Sequence, residues 1–140
     1  MFQVRPFEEK DRETVAAIYR QCRSEAAWLP ANAKESDFAQ DTEGEVMLVA
    51  VGSDDEPEGF VSVWEADAFI HHLYVRARSR QKGIGTQLLE SLGSRLPLPW
   101  RLKCVRANDN ALAFYLRHGW QEISSGESDE GIYAVEISTA

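Results

Sequence analysis

Residues 68–92 constrain the fold of this chain more than any other stretch. AFIHHLYVR, carrying Phe69, Ile70, Tyr74 and Val75, reads as a strand (β4, residues 68–76). It passes without a break into SRQKGIG, and from Ile84 the apolar residues Leu88, Leu89 and Leu92 fit one face of a helix (α3). A strand that turns through glycines into a helix leaves the first helical N–H groups without intrahelical acceptors, and their dipoles favour negative charge there. Such a turn is suited to phosphate. Arg76, Arg78, Arg80 and Lys82 crowd the same segment and add attraction for an anion. A Cβ at Gly83 or Gly85 would obstruct close approach of a ligand to the backbone.

The rest of the chain supplies partners for this unit. FQVRPF is a first strand (β1, residues 2–7). The segment from Glu8 places Val15, Ile18, Tyr19 and Cys22 on one helical face (α1). Trp28, Leu29 and Pro30 break that pattern, and residues 34–41 form a short helix around Phe38 (α2). Residues 45–51 (β2) and 59–65 (β3) are strand-like runs joined by the turn composition GSDDEPE. SRLPLP ends α3, because proline lacks the amide that a helix interior requires. WRLKCV follows as β5. Asn108 or Asp109 can cap NALAFYLRH (α4), with Gly119 as its stop. Residues 120–123 (β6) and 132–137 (β7) complete an α/β (α+β) order of β1-α1-α2-β2-β3-β4-α3-β5-α4-β6-β7, a meander followed by strand–helix alternation.

Composition narrows the function. The 140 residues are 44% hydrophobic, enough for one domain spanning 1–140. A formal charge of −8 would repel nucleic acid from most of the surface. Cys22 and Cys104 form no metal-ligand spacing and read as reduced thiols. The N-terminus lacks the apolar stretch of a signal peptide, and the longest apolar run, VMLVAV, is six residues. The expectation is a soluble cytoplasmic protein with no nucleic-acid partner, no membrane and no metal.

Two nucleotide-binding loops fail against the letters. A Walker A loop needs GK[ST] after its first glycine, and Lys82 here precedes the glycines. A dinucleotide fingerprint needs GxGxxG, and Leu88 stands at the third position. What remains is Arg-x-x-Gly-x-Gly at 80–85. In VRANDNALAFYLRHGW it is followed by Asn108, Ala111, Phe114, Tyr115, Gly119 and Trp120. The two motifs, in this order and spacing, resemble the GNAT superfamily of N-acetyltransferases.

That resemblance implies a mostly antiparallel mixed sheet of about seven strands flanked by about four helices, with acetyl-CoA as cosubstrate. The loop Arg80, Gln81, Lys82, Gly83, Ile84, Gly85 and Thr86 would hold the coenzyme's pyrophosphate. The backbone of Leu73 and Val75 would pair with pantetheine in a gap between the fourth and fifth strands. Asn108 would be a helix cap, a pantetheine contact, or both. Tyr115 matches the family tyrosine that lies near the sulfur and can act as general acid. Many relatives carry a glutamate at about the place of Phe69; others use a strand histidine two residues on, here His71.

Strand alternation would put Phe69, His71, Leu73 and Val75 on one face and Ile70, His72 and Tyr74 on the other. His71 is the expected base, with Glu65, Asp67 and His72 as alternatives. Since strand neighbours point to opposite faces, a metal site on His71 and His72 is not expected.

The implied reaction is direct attack of a primary amine, on a small molecule or peptide, upon acetyl-CoA. The rivals are a noncatalytic acyl-CoA-binding or regulatory module and a nucleotide-binding enzyme. The resemblance also allows a homodimer. Trp28, Phe38 and residues 124–131 would face the acceptor, and the acidic KESD and GESDE segments can attract a cation.

Overall fold

The computed structural model describes residues 2–26, 37–105, 107–127 and 133–138. Its elements are β1 (Gln3–Pro6), α1 (Arg12–Ser24), α2 (Phe38–Asp41), β2 (Val46–Val51), β3 (Pro57–Trp64) and β4 (Phe69–Val75). They continue as α3 (Ile84–Ser91), β5 (Arg101–Val105), α4 (Asp109–Arg117), β6 (Gln121–Glu127) and β7 (Tyr133–Ser138). The order matches the sequence reading. Residues 34–36 of the expected α2 lie outside the described residues.

One sheet runs β1-β2-β3-β4-β5-β7-β6. Its period-2 patterning sorts side chains into two layers. Leu48 and Ala50 of β2 face α3, with Leu88, Leu89 and Leu92, while Val49 and Val51 face α1, with Val15, Ile18 and Tyr19. β3, at the centre, is buried at every position but Trp64 because helices cover both of its faces. Among the described residues no helix is long and apolar enough to cross a membrane.

Every neighbouring strand pair is antiparallel except β4 with β5, which meet in parallel at one register position, Phe69 opposite Arg101. The Arg101 amide donates to Ala68 O at 3.1 Å. Beyond that rung the strands part, while on its other edge β5 pairs along its whole length with β7. The Arg76 amide donates to Glu58 O at 2.8 Å, so the alternation of an antiparallel ladder turns the backbone groups of Leu73 and Val75 away from β3, toward the gap.

A second irregularity lies in β4 itself. Its register against β3 slips by one between Ser62–His72 and Val63–Ile70, leaving His71 as the extra residue of a β-bulge.

Gly59 sits where β3, β4 and α3 touch. A Cβ there would lie 3.0 Å from Tyr74 O, 3.2 Å from Ile84 Cγ2 and 3.3 Å from Val75 Cγ2. Gly59→Ala is expected to lower the unfolding free energy by about 1–3 kcal/mol in urea denaturation. An alanine variant as stable as the parent would show that β4 and α3 yield freely.

Candidate active site

The turn between β4 and α3 has the form its glycines required. Gly83 caps α3 in the left-handed region at φ 82°, and Gln81 adopts φ 64°. Apart from chain neighbours, no atom lies within 4 Å of where a Cβ of Gly83 would stand, so the backbone there is open to approach. Among the described residues, none accepts a hydrogen bond from the amides of residues 81–86; the first helical bond is Gln87 N to Gly83 O, 3.0 Å. A Cβ on Gly85 would lie 3.5 Å from the Phe114 ring, an ordinary contact distance, so this glycine stands beside α4. The Thr86 hydroxyl is engaged as well, 3.1 Å from His118 Nε2, while His118 Nδ1 donates to Phe114 O at 2.7 Å.

The cationic cluster is only partly available to an anion. Arg78 grips the buried Glu58 with two bonds of 2.8 and 3.1 Å, Ser79 donates to the same carboxylate, and Arg76 lies 3.5 Å from it. These contacts brace the turn against β3. Arg80 donates to Val75 O at 3.1 Å and reaches Cys22 Sγ at 3.4 Å, tying the turn to the end of β4 and to α1. Lys82 is exposed and contacts no carboxylate among the described residues.

On the far side of the gap, Tyr115 of α4 is buried against Trp120 and Phe114, each ring centroid 5.2 Å away. Burial pushes its hydroxyl pKa up, and the nearby Cys104 of β5 and Tyr74 of β4 add to the rise. Tyr115 therefore stays protonated through neutral pH, yet it is a poorer proton source than free tyrosine. Asn108 is the cap its position implied: its side-chain oxygen accepts from the Ala111 amide at 3.3 Å.

The bulge overturns the alternation expected for β4. Phe69, His71, His72 and Tyr74 all lie toward α1 and α2, whereas Ile70, Leu73 and Val75 join the layer under α3 and α4. The His71 and His72 rings stack with centroids 4.0 Å apart and planes 28° from parallel. One extra residue makes neighbours share a face. Glu45, just before β2, contacts His71 Nδ1 with one carboxylate oxygen and the Ser62 hydroxyl with the other. Burial alone would raise the Glu45 pKa, but the contacts from His71 and Ser62 outweigh it and hold the group below its ordinary value. His72 is buried, which pushes its pKa down to about 4.

Glu45, His71 and His72 offer ligand atoms within 4.8 Å of one another, a grouping the sequence reading did not expect.

His71 also borders a cavity of about 290 Å³ lined by Glu45, Trp64, Asp67 and Phe69. Trp64 leans against Gly44, where a Cβ would be 3.1 Å from the indole. Phe38 is buried beside Tyr19, centroids 5.6 Å apart, and lines a separate cavity between α1 and α2. Trp28 and residues 128–131 lie outside the described residues.

A family model described as "Acetyltransferase (GNAT) domain" matches residues 10–139. The chain belongs to the GNAT acetyltransferase family. No curated protein matches the sequence. Solved structures share the GNAT fold. Apo YjaB from Escherichia coli is 19% identical with a TM-score of 0.82, over 100% of this chain and 98% of that one. The PaiA N-acetyltransferase from Thermoplasma acidophilum, in complex with coenzyme A, is 19% identical with a TM-score of 0.76, over 97% and 98% of the two chains. The ribosomal-protein-S18-alanine N-acetyltransferase from Escherichia coli is 20% identical with a TM-score of 0.71, over 99% and 92%.

In this GNAT protein the residues that sequence reasoning missed are Glu45, Ser62 and Glu58. Each acts across strands, and only an acid or hydroxyl set in an apolar run (Glu58 beside Gly59, Ser62 between Val61 and Val63) hinted at them. Glu58 is held down to about 2, chiefly by Arg78 and against the opposing effect of burial. A lowered carboxylate pKa stabilises the fold at neutral pH, and the contribution fades as pH falls from the ordinary carboxylate range toward about 2. Glu58→Gln is expected to cost about 2 kcal/mol at neutral pH. The gap in unfolding free energy between parent and variant should close as acid is added, and a gap constant through that window would deny Glu58 this role.

Proposed function

We propose that the protein is an acetyl-CoA-dependent N-acetyltransferase, one domain over residues 1–140, that acetylates a primary amine of a small molecule or peptide by direct attack. One observation carries this reading: β4 and β5 part after a single rung, and the gap adjoins a turn whose amides have no protein acceptor among the described residues. The coenzyme A bound to the PaiA protein and the alanine acceptor in the name of the Escherichia coli enzyme support it.

In this reading the amides of Gln81, Lys82, Gly83, Ile84, Gly85 and Thr86 hold the diphosphate, with Lys82 and Arg80 adding charge. The backbone of Leu73 and the N–H of Val75 pair with the pantetheine arm as a neighbouring strand would, since Val75 O already accepts from Arg80. The Val75 N–H, oriented by the strand before reaction, donates to the developing oxyanion. Asn108, with its oxygen committed to the Ala111 amide, has its NH₂ group left to contact the arm.

His71 stands where β4 leaves β5, between the gap and the cavity bounded by Trp64, Asp67 and Phe69. Aromatic walls and carboxylates suit an ammonium group on an apolar body. An alkylamine of pKa about 10.4 is only about 0.04% neutral at pH 7, so a base is needed. His71 takes a proton from the ammonium, and the freed lone pair forms the C–N bond as the C–S bond breaks. Two protons leave nitrogen, one ends on sulfur and one goes to solvent. Tyr115 donates a hydrogen bond to the departing sulfur.

Thermal-shift titration is expected to show stabilisation by acetyl-CoA and CoA and none by ATP or NAD; preference for ATP would overturn the reading. Release of CoA should follow with at least one amine among polyamines, aminoglycosides, amino acids and peptide N-termini, whereas binding without turnover on any of them would favour a noncatalytic module. Gly83→Asn, in which asparagine tolerates the left-handed backbone, should weaken acetyl-CoA binding about tenfold or more while leaving stability nearly unchanged. Tyr115→Phe should lower kcat about 100-fold at similar KM for acetyl-CoA, and an unchanged kcat would remove Tyr115 from the chemistry.

A further inference from the structure

We infer that Glu45 is the positioning residue of His71: its carboxylate accepts the Nδ1–H of the imidazole and so leaves the lone pair on Nε2, toward the cavity. The inference rests on the reading of His71 as the base, and deepens it.

The geometry confines both partners. The Glu45 side chain is 6% exposed and the His71 side chain 46%, so a buried anion holds a ring whose other edge is open. One Glu45 oxygen accepts from Ser62 Oγ of β3, the other meets His71 Nδ1, and the carboxylate cannot turn without giving up one of them. An ionised carboxylate only accepts, so the nitrogen beside it must carry hydrogen; in neutral imidazole the remaining nitrogen then holds the lone pair. Stacking on His72 at 4.0 Å and the Phe69 ring at 6.2 Å limit rotation of the imidazole.

The bulge makes this possible. A regular strand would send His71 to the opposite face from His72, away from Glu45. The titratable groups around the ring are Glu45 before β2, Asp67 before β4, and His72 on β4, whose Nε2 lies 3.4 Å from Asp41 O of α2. Burial keeps His72 neutral, so Glu45 is the anion in contact with the ring. When Nε2 takes the ammonium proton, the imidazolium forms against a carboxylate already in place, which stabilises it without rearrangement.

The test is a two-bond ¹H–¹⁵N spectrum of the full chain labelled in histidine. The parent should show His71 as the Nδ1–H tautomer, and Glu45→Leu should move it toward Nε2–H. With the amine that turns over in the panel above, Glu45→Leu should lower kcat about 10- to 100-fold at unchanged KM for acetyl-CoA. Adding it to His71→Ala should cost nothing further, because the two residues act as a unit. Where the leucine variant fails to fold, Glu45→Gln keeps the volume and a partner for Ser62, and its kcat should fall about tenfold.

An Nε2–H tautomer in the parent, or full kcat in a folded Glu45 variant, would overturn the inference. An Nδ1–H tautomer that depends on Glu45, together with full activity of His71→Ala, would instead overturn the reading of His71 as base, separating that failure from one of Glu45.

Discussion

The single rung between β4 and β5 underlies the site. β5 spends one whole edge on that ladder and gives β4 a single rung, at Phe69 and Arg101. Had the parallel pairing continued, the backbone groups of Leu73 and Val75 would be consumed within the sheet. Because it stops, those backbone groups face the gap between β4 and β5, and Tyr115 lies near Cys104 of β5 and Tyr74 of β4. Sheet edges of this kind are usually covered or avoided; here the open edge lies between two strands of one sheet.

Charge is arranged around that gap more sparingly than the run of basic residues implies. Glu58, buried under the turn, takes Arg78 and Arg76, and Arg80 is bonded to the end of β4. The turn is held rigid by its own arginines, which fixes where the amides of residues 81–86 point. Arg78, Arg80 and Lys82 are all exposed, and Lys82 is the one of them that contacts no carboxylate or carbonyl among the described residues. In the proposed function, the open amides of residues 81–86 and Lys82 together attract the anion.

On the other face, the bulge gathers His71 and His72 beside Glu45 and Ser62, residues from three strand segments. A general base needs a defined tautomer as much as a suitable pKa. Under the proposed function, Glu45, 26 positions away and against Nδ1, sets the tautomer of His71, and the bulge places His71 at the cavity beside Trp64.

The sequence alone determined the order of elements, the glycine turn into α3, and a helix cap at Asn108 or Asp109. Each depends on periodicity or steric rules acting over a few residues, and the family resemblance lies in those same segments. Only the tertiary structure decided which face His71 occupies, that Glu45 meets it, and that Glu58 claims two of the four cations. Those outcomes depend on strand register and on partners 20 or more positions apart for the ion pairs. A one-residue slip, invisible in the order of letters along β4, reverses the direction of a side chain.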